Sequence, residues 1–543
     1  MKKLTMILTL LLVIFGLTSC GGDDSTTGSD YEKITILFTG WVNTPTDEND
    51  PYRKWVRENY GLDVQLMATN DFSGDVVIKF ASNNKPDIVV FDDMQSYQTI
   101  LSQGVLMEDW TPYLDSMPNM VKTIKNGSVN GEATVAEKIF TNNGKLQALW
   151  TTPDPATWSL KIREDWADEY RTALGTDWQP NTPEDLLDFA RWIKANKPGC
   201  YGFTSAGGRS SFGTLGHFVS YMFGYVNELP YSLYLDENGE VQCGVTDGSY
   251  KKVLDYIKTI VSEGLIDPQW YDQTWEQKTK TKQGKIGIEW YPGTITEETE
   301  GYNKDKLAPG ETTLNWWKTY SLPSDGGKYS GYMPIDSYFG KIITVSKKCA
   351  LNSGKMEKIC SLLNDICFYY DQDAEGTDKF TRGKAYDALR WGVGIETGLS
   401  FQSIEDTAYS YICTTSDDSH YYRESSIGQG AWDWGAWFST TGDGVIQGTG
   451  STVDEIALKV YEHNSVTAAM ATQVQIGASL YLDATLINDI TAKTNNYAYK
   501  YVTGQSTGYS SYQEFVQTWL NSWHGQNLLD EALVQFRELG FID

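Results

Sequence analysis

Lys33-Ile34-Thr35-Ile36-Leu37-Phe38 opens a pattern that returns at Leu62-Asp63-Val64-Gln65-Leu66 and again at Asp87-Ile88-Val89-Val90-Phe91. The first and third runs are largely apolar and β-branched, as buried strands are, and the second alternates. Between them lie two stretches with helical spacing, one from Pro51 carrying Trp55, Val56 and Tyr60 and one from Phe72 to Ser82. Strands alternating with helices predict an α/β unit on a largely parallel sheet. Ligands of such sheets sit beyond the carboxyl ends of the strands, where Trp41 and the pair Asp92-Asp93 fall.

Upstream of this unit, Met1-Lys2-Lys3 and the apolar run Met6 to Leu17 have the form of a signal peptide, expected over residues 1–19. The run is short of the ~20 residues a membrane-spanning helix needs. Leu17-Thr18-Ser19-Cys20 resembles the bacterial lipobox, which implies acylation of Cys20 and an anchor on the outer face of the cell membrane. Residues 20–30 then read as a lipidated Cys and a flexible tether, because Gly21 to Asp30 contain nothing apolar to bury.

Lys+Arg number 44 against 71 Asp+Glu, a net charge of −27 that repels nucleic acid and anionic lipid. No nucleic-acid partner is expected. Cys200, Cys243, Cys349, Cys360, Cys367 and Cys413 form no C-x-x-C pair, so no disulfide scaffold or zinc site is read from them. Cys360 and Cys367 are expected as small buried thiols on a helix.

A second unit begins where Thr151-Thr152-Pro153-Asp154-Pro155 interrupts the pattern. Pro183 to Ile193 predicts an amphipathic helix with Pro at its start, and Ser249 to Ser262 another with Val253, Leu254, Ile257, Ile260 and Val261 on one face. The expected partition is an N-terminal lobe over 31–153 plus about 325–390 and a C-terminal lobe over 154–324 plus about 391–543.

Glu263-Gly264-Leu265-Ile266-Asp267-Pro268 after a helix, followed by Gly284-Lys285-Ile286-Gly287-Ile288-Glu289-Trp290-Tyr291, resembles the extracellular solute-binding proteins of carbohydrate ABC importers, in their large lipoprotein branch. Gln103 to Leu114, Ile162 to Trp166 with Pro180 to Leu186, Ile343 to Cys349 with Lys355 to Asn364, Arg390-Trp391-Gly392, and Tyr501 to Leu529 are similar to further segments of that family in the same order. The resemblance implies a two-lobed, periplasmic-binding-protein-like α/β fold with a hinge of crossing segments. It also implies a monomer that holds a carbohydrate between its lobes and delivers it to ABC permease subunits, with no cofactor and no catalysis.

Sugars present hydroxyls and a patch of C–H groups, so their sites combine aromatic platforms with Asp, Glu, Asn, Gln and Arg. Trp 19, Tyr 34 and Phe 19 make this chain 13% aromatic, and many of these rings, such as Trp41 and Trp158, stand in polar surroundings. Core filling is the alternative for any one of them. Trp290 and Tyr291 end a predicted strand at the position the family uses for its cleft aromatic, and are expected to be the main stacking platform. Asp92 and Asp93 suit charge-assisted bonds to hydroxyls, or helix capping after Met94. Arg209, in Gly207-Gly208-Arg209-Ser210-Ser211, suits a ligand contact or a salt bridge equally. The candidate ligand-binding set is therefore Trp41, Asp92, Asp93, Trp158, Arg209, Trp290, Tyr291 and Trp391. The Trp432, Trp434 and Trp437 cluster is an alternative platform.

Enzymatic readings find little material. Gly504-Gln505-Ser506-Thr507-Gly508 fits the G-x-S-x-G pattern, but it joins two helical stretches where a nucleophile elbow needs a strand before it. Four widely separated histidines offer no zinc site. Asp371 to Thr377 begins like a calcium loop, yet its twelfth position is Arg382, so an acidic surface turn is preferred and no metal is expected. A secreted glycoside hydrolase, needing only two carboxylates, and a surface glycan adhesin stay open as alternatives.

Overall fold

The computed structural model describes residues 31–542 except 41–49, 70, 83–84, 126–130, 152–157, 225–228, 231, 275–277, 279–283, 293–315, 336–337, 371–379, 392–399, 404–410, 415–433, 436, 439–461, 464, 468 and 474–476. β1 (Glu32–Thr39) runs parallel to β2 (Leu62–Thr69) along its whole length and to β3 (Ile88–Phe91) at Ile36 and Leu37. The crossovers are helical: α1 (Pro51–Tyr60) between β1 and β2, and α2 (Phe72–Ala81) before β3. α1 begins where the sequence places it, because Pro51 pre-sets a first-turn φ and the Asp50 carboxylate accepts from the Tyr52 amide at 2.7 Å. α3 (Met94–Leu101) follows β3 directly.

The chain crosses out of this sheet after the short β4 (Leu149–Trp150) and builds a second one. There β5 (Trp158–Arg163) lies between two antiparallel neighbours, β6 (Ile288–Pro292) and β7 (Trp317–Tyr320). α4 (Pro183–Asn196), α5 (Gly213–Phe223) and α6 (Ser249–Ser262) pack around it. α4 carries a full capping box between Thr182 and Asp185. Two glycines of the family-like motifs have structural reasons. Gly264 follows α6 with φ +61°, and a Cβ on Gly287 would stand 2.3 Å from Ile193 and 3.1 Å from Trp166, so only glycine lets this strand lie flat on α4.

The return is β8 (Ile342–Val345), which inserts antiparallel between β3 and β4 to give a first-lobe order of β2-β1-β3-β8-β4. α7 (Ser353–Asp365) then packs on the first lobe with Cys360 and Cys367 buried as free thiols, while α8 (Ala484–Val502) and α9 (Gly525–Glu538) finish the second. Each lobe has its own core, Ile34 to Trp150 with Phe339 to Leu389 in one, Leu160 to Met333 with Met470 to Phe536 in the other.

Two places differ from the expected partition. Met333 packs in the second core, and Trp434, Trp437 and Phe438 pack in the first. The Trp434 indole donates to the buried Asp50 carboxylate at 3.0 Å and stacks on Tyr52 at 6.3 Å. Trp434 and Trp437 are 1% and 0% exposed, which removes them as an alternative platform; Trp432 lies outside the described residues. Among the described residues no helix is long and apolar enough to cross a membrane.

Candidate functional site

The lobes meet over a cavity of about 330 Å³. Its first-lobe wall is the start of α3 with one face of α2: Asp93, Gln95, Ser96, Thr99, Ser73 and Val76. Its second-lobe wall is Leu229, Pro230 and the first turn of α8, with Ala484, Ile487 and Asn488. α3 begins at this wall because Asp93 is its N-cap, accepting from the Ser96 amide at 2.7 Å. Beside it Gln95 spans the lobes: its amide donates to the Leu482 carbonyl at 2.7 Å and accepts from the Leu482 N–H at 3.0 Å. Hydroxyls, amides and one carboxylate thus face the cavity, and none of the described residues lining it is basic.

Asp92, one residue earlier, pairs with Lys341 Nζ at 2.7 Å. Lys341 belongs to the crossing segment that returns to β8, and this segment is tied to the outgoing one. The Gly340 amide donates to the Thr151 carbonyl at 2.8 Å, the Thr151 amide to the Lys341 carbonyl at 3.0 Å, and the Lys341 amide to the Thr151 hydroxyl at 2.9 Å. These paired segments form the hinge floor, with Asp92 fastened to it.

The expected aromatic platform divides. Successive strand residues face opposite sides of a sheet, so Trp290 and Tyr291 on β6 cannot share one surface. Trp290 turns into the second-lobe core, 2% exposed, between Phe218 and Tyr221 of α5 and the ring of Trp158. Trp158, at the start of β5 where the chain enters the lobe, stacks on it at 6.3 Å with planes 20° apart and stays partly exposed. Tyr291 faces the other way and packs on Trp317, with Lys278 Nζ 5.4 Å from its ring.

That second face is polar yet buried. Ser159, Lys161, Glu289 and Thr319 lie on it with His463 and Lys278. Lys278 pairs with Glu289, and Lys161 Nζ bonds Thr319 and lies 2.9 Å from His463 Nδ1. Ser159 Oγ lies 3.2 Å from the same Nδ1, a Ser–His proximity that spacing did not reveal. It is poorly arranged for nucleophilic chemistry, because the serine is fully buried and Lys161 Nζ already stands against the nitrogen that must take its proton.

Other sequence candidates are placed as follows. Arg209 is exposed and pairs with Asp272 at 2.7 and 2.9 Å, the salt-bridge alternative. Ser506 lies in a turn between α8 and the helix Tyr512–Gln517, with no strand before it. Trp41, Cys20 and residues 371–379 lie outside the described residues, as does the side chain of Trp391. Among the described residues no group of three or more His, Cys, Asp or Glu gathers as metal ligands. Gln95 and Asn488 were missed by sequence reasoning, since neither is aromatic, charged or part of a motif.

No family model matches the chain. A fructooligosaccharide ABC transporter substrate-binding protein, FusA of Streptococcus pneumoniae, is 22% identical over 345 residues, which cover 56% of this chain and about 60% of that relative's length. Its structure in complex with kestose superposes over 93% of this chain and 99% of its own with a TM-score of 0.59 at 14% identity. An HMO binding, ABC-transporter associated solute-binding protein of Bifidobacterium longum infantis covers 94% and 98% with the same score at 15% identity. The chain has the fold of these ABC-transporter solute-binding proteins. The cavity at Asp93 and Gln95 stands between the two lobes beside the paired crossing segments.

Proposed function

We propose that this protein captures a neutral oligosaccharide outside the cell membrane and presents it to the permease of an ABC importer. The observation that carries the reading is the interlobe cavity, whose described lining residues supply hydroxyl, amide and carboxylate groups and no basic side chain. Such a lining suits sugar hydroxyls and offers nothing to a uronate or phosphate. The names of the two relatives, a fructooligosaccharide and an HMO binder, agree with it in class. Asp92, Asp93 and Trp158 are assigned to the ligand in this reading, with Gln95 and Asn488 added from the cavity wall, and Trp41 and Trp391 retained from the sequence. The protein works as a monomer held by acylated Cys20 and releases its sugar unaltered.

Calorimetric titration against a panel of neutral and anionic oligosaccharides tests this. The expected result is binding of a neutral member near micromolar, about −8 kcal/mol, with a smaller radius of gyration in solution scattering and no new reducing ends. Tight binding of only anionic members, or cleavage of the bound one, would refute it.

A further inference from the structure

The second lobe holds a smaller, partly open cavity of about 40 Å³ among α5, α6 and α8, beside the π-helical turn Thr518–Ser522. Three polar groups on its lining residues are shut away from solvent and have no hydrogen-bond partner among the described residues: the hydroxyls of Thr491 and Thr494 and the indole N–H of Trp519. Trp519 as a whole is 0% exposed. Buried polar groups without partners are rare and destabilising, so three on the lining residues of one cavity call for an occupant.

The occupant must both donate and accept, since the hydroxyls can do either and the indole only donates. It must also be small: a buried water needs roughly 10–15 Å³ of such space and two to four polar partners, so this cavity has room for up to about three. A sugar ring does not fit.

The placement connects the cavity to the cleft. Ile487, Thr491 and Thr494 follow one another at i+4 and i+3, one stripe along α8, whose first turn forms the cleft wall. Leu229 lines both cavities and divides them. We propose that the smaller cavity is a site for ordered water that completes the hydrogen bonding of Thr491, Thr494 and Trp519, and so fixes the helix that faces the cleft against the Thr518–Ser522 turn.

High-resolution diffraction from crystals of the folded chain, with and without xenon pressure, tests the site itself. Density within hydrogen-bonding distance of Trp519 Nε1 and at least one of the two threonine hydroxyls is expected; a xenon peak there with no water overturns the proposal. Thr491→Val and Thr494→Val supply a second test, because valine keeps the shape and has a similar helix propensity. If water bridges the hydroxyls, each variant lowers Tm by about 1–3 °C. If the site is dry, each removes an unpaired hydroxyl and Tm stays level or rises, which also overturns it. Should a variant fail to fold, the density in the unaltered protein decides alone.

Discussion

Gln95 of the first lobe and Leu482 of the second are joined by two hydrogen bonds, of 2.7 and 3.0 Å, beside the interlobe cavity that Gln95 lines. A side-chain amide here imitates one rung of a β-ladder. The pair exists only when the lobes are close, so it adds to the stability of the closed form and of nothing else. At about 1 kcal/mol for each bond, Gln95→Ala should weaken ligand affinity by roughly five- to thirtyfold while leaving Tm of the ligand-free protein nearly unchanged. Titration calorimetry beside scanning calorimetry checks this, and an affinity equal to that of the unaltered protein would show the clasp to be idle.

Trp158 and Trp290 stack but have different neighbours, which separates their expected effects. Trp290→Ala opens a hole among Phe218, Tyr221 and Trp158 and should cost about 3–5 kcal/mol of stability. Trp158→Ala removes a partly exposed ring and should cost less stability but more affinity. Denaturant unfolding and sugar titration on both variants decide the matter; the reverse ranking would restore Trp290 as the platform.

Arg209→Ala should change neither Tm nor ligand affinity beyond about twofold, because Arg209 and Asp272 are 78% and 68% exposed and such pairs contribute little. A marked loss of affinity would place the Gly207 to Ser211 loop at the ligand.

The acid limb of stability has a named contributor. Burial raises the pKa of Asp63, and the contacts from Arg53 at 2.6 and 2.9 Å and Arg57 at 2.7 Å outweigh it, holding the carboxyl below its ordinary 3.8. A depressed folded pKa means the stabilisation is complete above 3.8 and fades as the pH falls through the lower folded value. Asp63→Asn should therefore lower Tm at neutral pH and flatten the fall of Tm on acidification. An unchanged acid slope in scanning calorimetry would assign that limb to other carboxylates.

Cys20→Ala should move the protein from the membrane fraction to the medium or periplasm. Retention in washed membranes would show that the anchor lies elsewhere.

Local pattern was enough for much of the first lobe. The strands at Lys33 to Phe38 and Asp87 to Phe91 and the helix start at Pro51 emerge within a residue or two of their expected ends, because periodicity and capping act over a few positions. What joins distant segments was illegible. Nothing around Asp92 announces Lys341, and nothing in Gly430 to Trp437 says that Trp434 is claimed by Asp50. Trp290 shows the limit most clearly. The strand was legible, although Trp290 stands at its middle and not at its end; which face of β6 meets the core is set by α5, packed against it from far earlier in the chain. Gln95 left only one trace, its position two residues after the N-cap Asp93.

The insertion of β8 between β3 and β4 also governs the order in which this protein can be made. Phe91 pairs with Ile342, and much of the second lobe is translated between them. A nascent chain stopped at Trp150 would carry β3 with one long edge open and β4 with no partner. The first lobe, although it comes first, cannot be completed until Val345 has emerged, and such long-range closure is slow.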